Sequence, residues 1–269
     1  MKTILITGAS SGIGKKTALL FLNNGWNVIA TMRNPDAERE WSAFPNALIL
    51  KCDVTDHLSI KNAVSTGISH FGKIDVLVNN AGYYALGPLE SATPEQIRRQ
   101  IDTNLNGVIA MTQAVIPFFR KQRSGIIINI SSIAGVITLP LQSLYHATKW
   151  GVEGFSESLQ YELRPYHIRI KLIEPGVIKT DFYGRSMSLL QNNELTDYTT
   201  YSQRVIENIQ KNGNKGSSPD VVAQTIYQAA TDHKKKMRYS AGNSKDLIKL
   251  RKLLPNSVFR FIVQKVMEN

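Results

Sequence analysis

Residues 3–22 read TILITGASSGIGKKTALLFL. The opening run, TILIT, is apolar and lacks apolar/polar alternation, which suits a strand buried on both faces. GASSGIG follows at 8–14, and the stretch behind it has the length and pattern of a helix. Glycines at 8, 12 and 14 allow tight bending and close backbone approach. A helix beginning there aims its free N–H groups and positive dipole end into the turn, where a pyrophosphate would fit. The spacing G-x-x-x-G-x-G departs from the usual G-x-G-x-x-G fingerprint, and glycines alone are weak evidence. Its placement directly after the first strand carries the nucleotide reading, the alternative being a merely tight strand–helix connection. No G-K-[ST] closes the turn, which disfavours a Walker-type NTPase.

Working outward, short buried-strand runs recur at 27–31, 47–50, 75–79, 125–131 and 168–174, with a last short one at 237–240. Helix-length segments separate them at 13–24, 56–72, 94–122 and 143–164. Thr93, Pro94 and Gln96 make a capped helix start, and Ser218, Pro219 and Asp220 make another. Alternation of this kind predicts an α/β fold, a single Rossmann-type doubly wound parallel sheet with helices on both faces. Residues 181–217 break the rhythm with mixed aromatic, polar and small residues. An insertion after the sixth strand lies beyond the carboxyl ends of the strands, so 181–217 is expected to form a substrate lid. The tail, about 244–269, is basic and partly amphipathic. Packing on its own protein or on a second copy is the preferred expectation for it, and docking on a membrane surface is the second reading.

The chain has 269 residues, ample for one large core. Its single cysteine, Cys52, excludes an internal disulfide and a cysteine-based metal cluster, and no metal is expected. The apolar N-terminal run stops too soon for a secretory segment, and no apolar stretch approaches bilayer-spanning length, so a cytoplasmic protein is expected. A formal charge of +11 favours anionic contacts without choosing among phosphates, nucleic acid and lipid surfaces. Eight Lys and Arg fall between 234 and 252, a cluster whose ordinary reading is a solvated face.

The second strand ends ATMRNPD. An acid at this place binds a ribose 2′-hydroxyl, whereas an arginine accommodates a 2′-phosphate. Arg33 follows the strand directly and can grip phosphate through paired hydrogen bonds, so NADP(H) is preferred. Asp36 keeps NAD(H) open.

In YHATKW (145–150), Tyr145 and Lys149 stand four residues apart, on one face of a helix. Together with TGASSGIG (7–14), NNAG (79–82), Asn104 in DTNLNG, ISS (130–132) and PGVIKT (175–180), this motif resembles the short-chain dehydrogenase/reductase family, in the family's order across residues 3–181. The nearest likeness is to the hydroxysteroid and retinol dehydrogenase branch and its bacterial relatives. The resemblance implies an oxidoreductase moving hydride between nicotinamide and a carbonyl/alcohol pair. Tyr145 would exchange the proton, and a free tyrosine with pKa ~10 needs a nearby cation for that, which Lys149 supplies. Ser132 would steady the substrate oxygen, with Ser131 as the adjacent alternative. Asn104 would help bind a water linking Lys149 to solvent. His146, a conceivable rival base, points about 100° away around the helix.

By the same resemblance the cofactor would touch Gly8, Ser10, Ser11, Gly12, Ile13 and Gly14 in the turn, Asp53 and Val54 after the third strand, and Asn80, Ala81 and Gly82 after the fourth. Pro175, Gly176, Val177 or Ile178, and Thr180 would lie beside the nicotinamide, along with Tyr145 and Lys149. Phe182, Tyr183, Met187, Leu189 and Leu190 suggest an apolar pocket for a bulky hydrophobic ketone, aldehyde or alcohol. A homodimer or homotetramer through 94–122 and 143–164 is expected, and nucleic acid is not the expected partner. The rival reading is a non-catalytic NADP(H)-binding sensor or scaffold of the same fold.

Overall fold

A computed structural model describes residues 1–37, 40–179, 187–192, 194–213 and 215–268. Seven parallel strands form the central sheet: β1 (Thr3–Thr7), β2 (Asn27–Met32), β3 (Ala47–Lys51), β4 (Val76–Asn79), β6 (Gly125–Ile130), β7 (Ile168–Pro175) and β9 (Arg238–Ala241). Their order is β3-β2-β1-β4-β6-β7-β9. The chain therefore winds outward from β1 in one direction, returns, and winds outward from β4 in the other. The strand ends part at the β1/β4 junction, which is where a doubly wound sheet opens a crevice.

Alternation along β1 assigns the two faces. Ile4 and Ile6 pack with Phe21, Val28, Ile128, Val222 and Ile226, under α1 (Gly12–Asn23) and α7 (Pro219–Thr231). Leu5 points the other way, into Ile29, Leu77, Ile127, Val115, Phe119 and Leu159. That side is covered by α2 (His57–Phe71), α4 (Gly107–Gln122) and α5 (Ser143–Leu163). Both faces of β1 are fully buried, which is why the strand reads as an unbroken apolar run.

Helix α3 (Pro94–Ile101) opens with the expected capping box, Thr93 and Gln96 bonding reciprocally. The single helix expected over 94–122 is instead two, joined by a π-helical turn at Asp102–Asn106. A second departure is a pair of short parallel strands, β5 (Tyr84–Leu86) and β8 (Met187–Leu189), the latter within a region that carried no strand signal. Helix α6 (Thr199–Gly213) follows, and the tail folds as α8 (Ser244–Leu253) and α9 (Asn256–Glu268), broken at Pro255. Helix α9 lies against α6. Among the described residues no helix is long and apolar enough to cross a membrane.

Candidate active site

The turn after β1 holds Gly8 at φ 66° and Gly12 at φ 53°, a region that L side chains rarely enter. Gly8 also needs the space: a Cβ there would sit 2.8 Å from Ala81 Cα. Asn80 locks the turn by donating from Nδ2 to the Thr7 and Gly8 carbonyls at 2.9 and 3.0 Å. The Asn80 and Ala81 amides both donate to Thr7 Oγ1 at 3.0 Å. At the start of α1, the Ser11 side chain makes no capping bond to its own helix, so the first turn keeps amides for a ligand. Gly14 is placed differently from its neighbours. It does not line the cleft, and a Cβ there would run into the Gly8 carbonyl and the Asn80 amide, so it spaces α1 against the turn.

From this turn a cleft of about 800 Å³ runs along the carboxyl ends of the strands. Ser10, Ser11, Gly12 and Ile13 line one end, with Arg33, Asp53 and Val54 beyond them and Asn80, Ala81 and Gly82 beneath. Arg33 is exposed at the end of β2. The Asp53 carboxylate accepts from the Thr55 amide and hydroxyl at 2.9 and 2.8 Å. Burial works to raise its pKa, but those bonds and the charge of Arg33 outweigh it and hold the carboxyl below its usual range. The donor set suits a dinucleotide, with helix amides for a pyrophosphate, a carboxylate for a hydroxyl and a guanidinium for a phosphate.

Tyr145 and Lys149 lie one turn apart in α5, both buried and both on the cleft wall. Lys149 Nζ donates to the Ile130 carbonyl at 2.8 Å and stands 5.6 Å from the centroid of the Tyr145 ring. Burial pulls the Lys149 pKa down to about 8, with the carboxylate of Glu153, one turn further on, opposing the shift. The Tyr145 ring also meets Tyr84 edge-on at 5.0 Å.

Ser132 is half-buried at the end of β6, where its Oγ accepts from the Ala134 amide at 3.1 Å. Ser131 borders the cleft too, but its hydroxyl turns toward the Glu153 carboxyl, whose pKa burial raises in spite of Ser131 and Arg238 nearby. The two adjacent serines are thus separated by direction, with Ser132 nearer the open wall. Asn104 sits in the π-helical turn, where the extra residue swings its side chain inward. Its Oδ1 accepts from the Tyr83 amide at 3.0 Å and its Nδ2 donates to the Tyr83 carbonyl at 2.8 Å. The carboxamide is therefore a clamp on the Tyr83 peptide, a task the sequence did not suggest. His146 clamps as well: Nδ1 donates to Ala134 O and Nε2 accepts from Leu139 N–H, each at 2.8 Å. Both ring nitrogens are thereby occupied, with the ring edge-on to that of Tyr145 at 6.5 Å.

Pro175 and Gly176 end β7 at the cleft. Of the two candidates beyond, Val177 has both peptide groups engaged, donating to Asn243 Oδ1 at 3.2 Å and accepting from Ser217 N–H at 2.9 Å. Lys179 N–H donates to Ser217 O at 2.8 Å. Ile178 is bridged in parallel to Ser217, so its own N–H and C=O occupy the opposite edge of the chain. Thr180, Phe182 and Tyr183 lie outside the described residues.

Met187 and Leu189 pack with Tyr84 and Leu86, in the cluster that holds Tyr145, and Leu190 packs with Tyr83 and Ala85, because β8 pairs with β5. These three side chains stand behind the cleft lining rather than in it. Among the described residues the apolar wall comes from Ile133, Ile137 and Leu139, and from Leu247, Phe259, Val263 and Met267 of the tail. A further missed feature lies below α5, where Arg238 meets Glu153 at 3.1 Å, Glu157 at 2.8 Å and Glu174 at 3.6 Å. Burial, then the neighbouring Glu153 charge, lifts the Glu174 pKa to about 7. Only the (i, i+4) spacing of Lys149, Glu153 and Glu157 pointed there.

Comparison with known proteins identifies the family that this fold belongs to. The family described as short chain dehydrogenase matches residues 2–188, and the chain belongs to it. It is therefore an oxidoreductase, of the broad class acting on CH–OH groups. It is similar to an uncharacterised oxidoreductase, YusZ, of Bacillus subtilis, 42% identical over 98% of each chain. The 3-ketodihydrosphingosine reductase of Bacteroides thetaiotaomicron is 44% identical over 78% of this chain and 77% of its own. Among solved structures, a short-chain dehydrogenase from Streptomyces avermitilis superposes with a TM-score of 0.85 at 29% identity, covering 98% of this chain and 97% of that one. ElxO with NADP bound superposes at 0.74 with 31% identity, covering 89% and 96%.

Proposed function

We propose that the chain interconverts a hydrophobic ketone or aldehyde and its alcohol with NADP(H) as the redox partner, Tyr145 exchanging the proton. The observation that carries this reading is the buried Lys149 ammonium held between the Ile130 carbonyl and the Tyr145 ring. A fixed cation beside a phenol favours the phenolate, the form needed to accept a proton in alcohol oxidation and left behind after donation in carbonyl reduction. Ser132, next along the same wall, offers a hydroxyl to the substrate oxygen as charge develops there. Asn104 fixes the Tyr83 peptide, and with it the floor beneath Tyr84 and Tyr145.

A bound nicotinamide dinucleotide would supply or take the hydride. Residues suited to hold it are the first turn of α1 for the pyrophosphate, Asp53 for the adenosine end, and Ile178 through the peptide edge it turns away from Ser217 for the carboxamide. Arg33 supports NADP(H) over NAD(H), in keeping with ElxO, whose structure contains NADP. The tail-built apolar wall supports an aliphatic or ring-bearing substrate. The similarity to a 3-ketodihydrosphingosine reductase favours a long-chain ketone over a sugar. Exposed Ile109 and Phe118 of α4, with Trp150 and Tyr161 of α5, support association through these helices into a dimer or tetramer.

Purified protein screened with NADPH and NADH against long-chain ketones, steroids, retinoids and aldehydes tests the reading directly. Consumption of reduced cofactor on an apolar carbonyl is the expected result. Inactivity across the panel, with dinucleotide binding retained, would instead make the chain a binding protein.

A further inference from the structure

Helices α8 and α9 expose apolar side chains beyond those that wall the cleft. Leu253 is 81% exposed, Phe261 64% and Val266 60%, and Leu247, Leu250 and Val258 are exposed beside them. The placement follows helical spacing. Leu247 and Leu250 lie one turn apart on α8, and Val258, Ile262 and Val266 on one stripe of α9, while Ile248, Leu254 and Phe259 turn inward to Ile133 and Ile137. Lys245, Lys249, Arg251, Lys252, Arg260 and Lys265 border these stripes, against Asp246 and Glu268 alone over 244–268.

We propose that this helical pair docks on a bilayer surface bearing anionic headgroups, its leucine, valine and phenylalanine side chains entering the acyl boundary. Charge complementarity selects that partner. A surface with such a basic surplus repels a second copy of itself, and nucleic acid offers phosphates but nothing for Leu253, Phe261 and Val266 to enter. Apolar residues flanked by lysines match both layers of a lipid interface at once.

The surface is continuous with the cleft. Leu247, Leu250 and Val266 are exposed and also line it, so an apolar path leads from the outside to Tyr145. On the proposed function, on which this clause rests, a lipid-like ketone passes from the bilayer to the proton donor without crossing water.

The test is flotation of the full chain with vesicles of phosphatidylcholine alone and of equimolar phosphatidylcholine and phosphatidylglycerol. Two variants accompany it: Leu253→Asp with Phe261→Asp, and Lys249→Glu with Lys252→Glu; neither pair lines the cleft. Binding to the anionic vesicles roughly tenfold or more above the neutral ones is expected, falling with salt and lost in both variants. Both variants should keep the wild-type melting temperature and turnover of a water-soluble carbonyl. No flotation of the wild type overturns the proposal, as does undiminished flotation of both variants. A shift from dimer to monomer in the Leu253/Phe261 variant, without lipid binding by the wild type, would overturn it in favour of self-association. Flotation without turnover of any carbonyl supports the docking while removing the proposed function.

Discussion

Lys149 Nζ donates to the Ile130 carbonyl across 2.8 Å, pinning the middle of α5 to the end of β6. That one bond sets the ammonium beside the Tyr145 ring and next to the strand end that becomes Ser131 and Ser132. A long flexible side chain is thereby reduced to one buried position before any ligand arrives.

Replacing Tyr145 with Phe removes the hydroxyl proposed to exchange the proton while keeping the ring that meets Tyr84. Turnover should fall about 10²–10⁴-fold. Quenching or transfer of NADPH fluorescence should give nearly the wild-type dissociation constant. Turnover within a few-fold of wild type would put the proton elsewhere.

With its pKa drawn down to about 8, Lys149 is a cation at neutral pH and loses its charge within the working range of many assays. The kcat/KM for carbonyl reduction should therefore decline as pH rises through about 8. Lys149→Arg keeps a charge that does not titrate there, so any residual activity should show this limb displaced upward. An identical limb in both proteins would assign it to another group.

Arg33→Ala should raise KM for NADPH by ~10–100-fold, the cost of losing hydrogen bonds to a charged phosphate, and leave KM for NADH within about twofold. Parallel loss with both cofactors would remove the basis for NADP(H) preference.

The inner strands of the sheet were legible because a strand buried on both faces is largely apolar, as in ILI of β1 and VLV of β4, while the edge strands β3 and β9 are only partly buried. The turn, Tyr145 and Lys149 were legible because their motifs are local. What escaped depended on distant partners. Strand β8 is three half-buried residues that exist only because β5 is alongside. The π-helical turn leaves no spacing signature around Asn104. Helix α6 did leave one, Val205 and Ile209 at (i, i+4), but surrounding Tyr, Thr and Asn residues obscured it. The partly amphipathic tail was expected to pack on its own protein or on a second copy, but only the fold reveals that its inner face walls the cleft.

His146 bonds through both ring nitrogens in a neutral form, and burial depresses its pKa below the ordinary 6.5. An imidazole kept neutral in the fold and free to protonate when unfolded stabilises fully above the unfolded pKa. Its contribution declines as pH falls from about 6.5 toward the folded pKa. Urea denaturation at successive pH values below neutrality should show wild type losing stability more steeply than His146→Gln. Equal slopes would mean that the imidazole does not report acid stability.

Beneath the site, Asn129 Oδ1 accepts from Asn79 Nδ2 and its Nδ2 donates to Ser156 Oγ, both at 2.8 Å and fully buried. Asn129→Ala leaves both partners short of a bond between β4, β6 and α5. A loss of about 2 kcal/mol is expected, seen as a melting temperature lower by ~4–8 °C in calorimetry. A shift under 1 °C on the same scale would show that the neighbours rebond among themselves.

The bridge between Ile178 and Ser217 closes the neck of everything the chain inserts between β7 and α7. Because the neck is shut by backbone groups, the sheet does not register what is threaded through it. Closure entropy rises only by about 0.6 kcal/mol for each doubling of loop length. Length can therefore vary at this neck at little cost to the sheet, whereas β8 and α6, held by β5, α9 and the cluster around Tyr145, must change in step with the wall they touch.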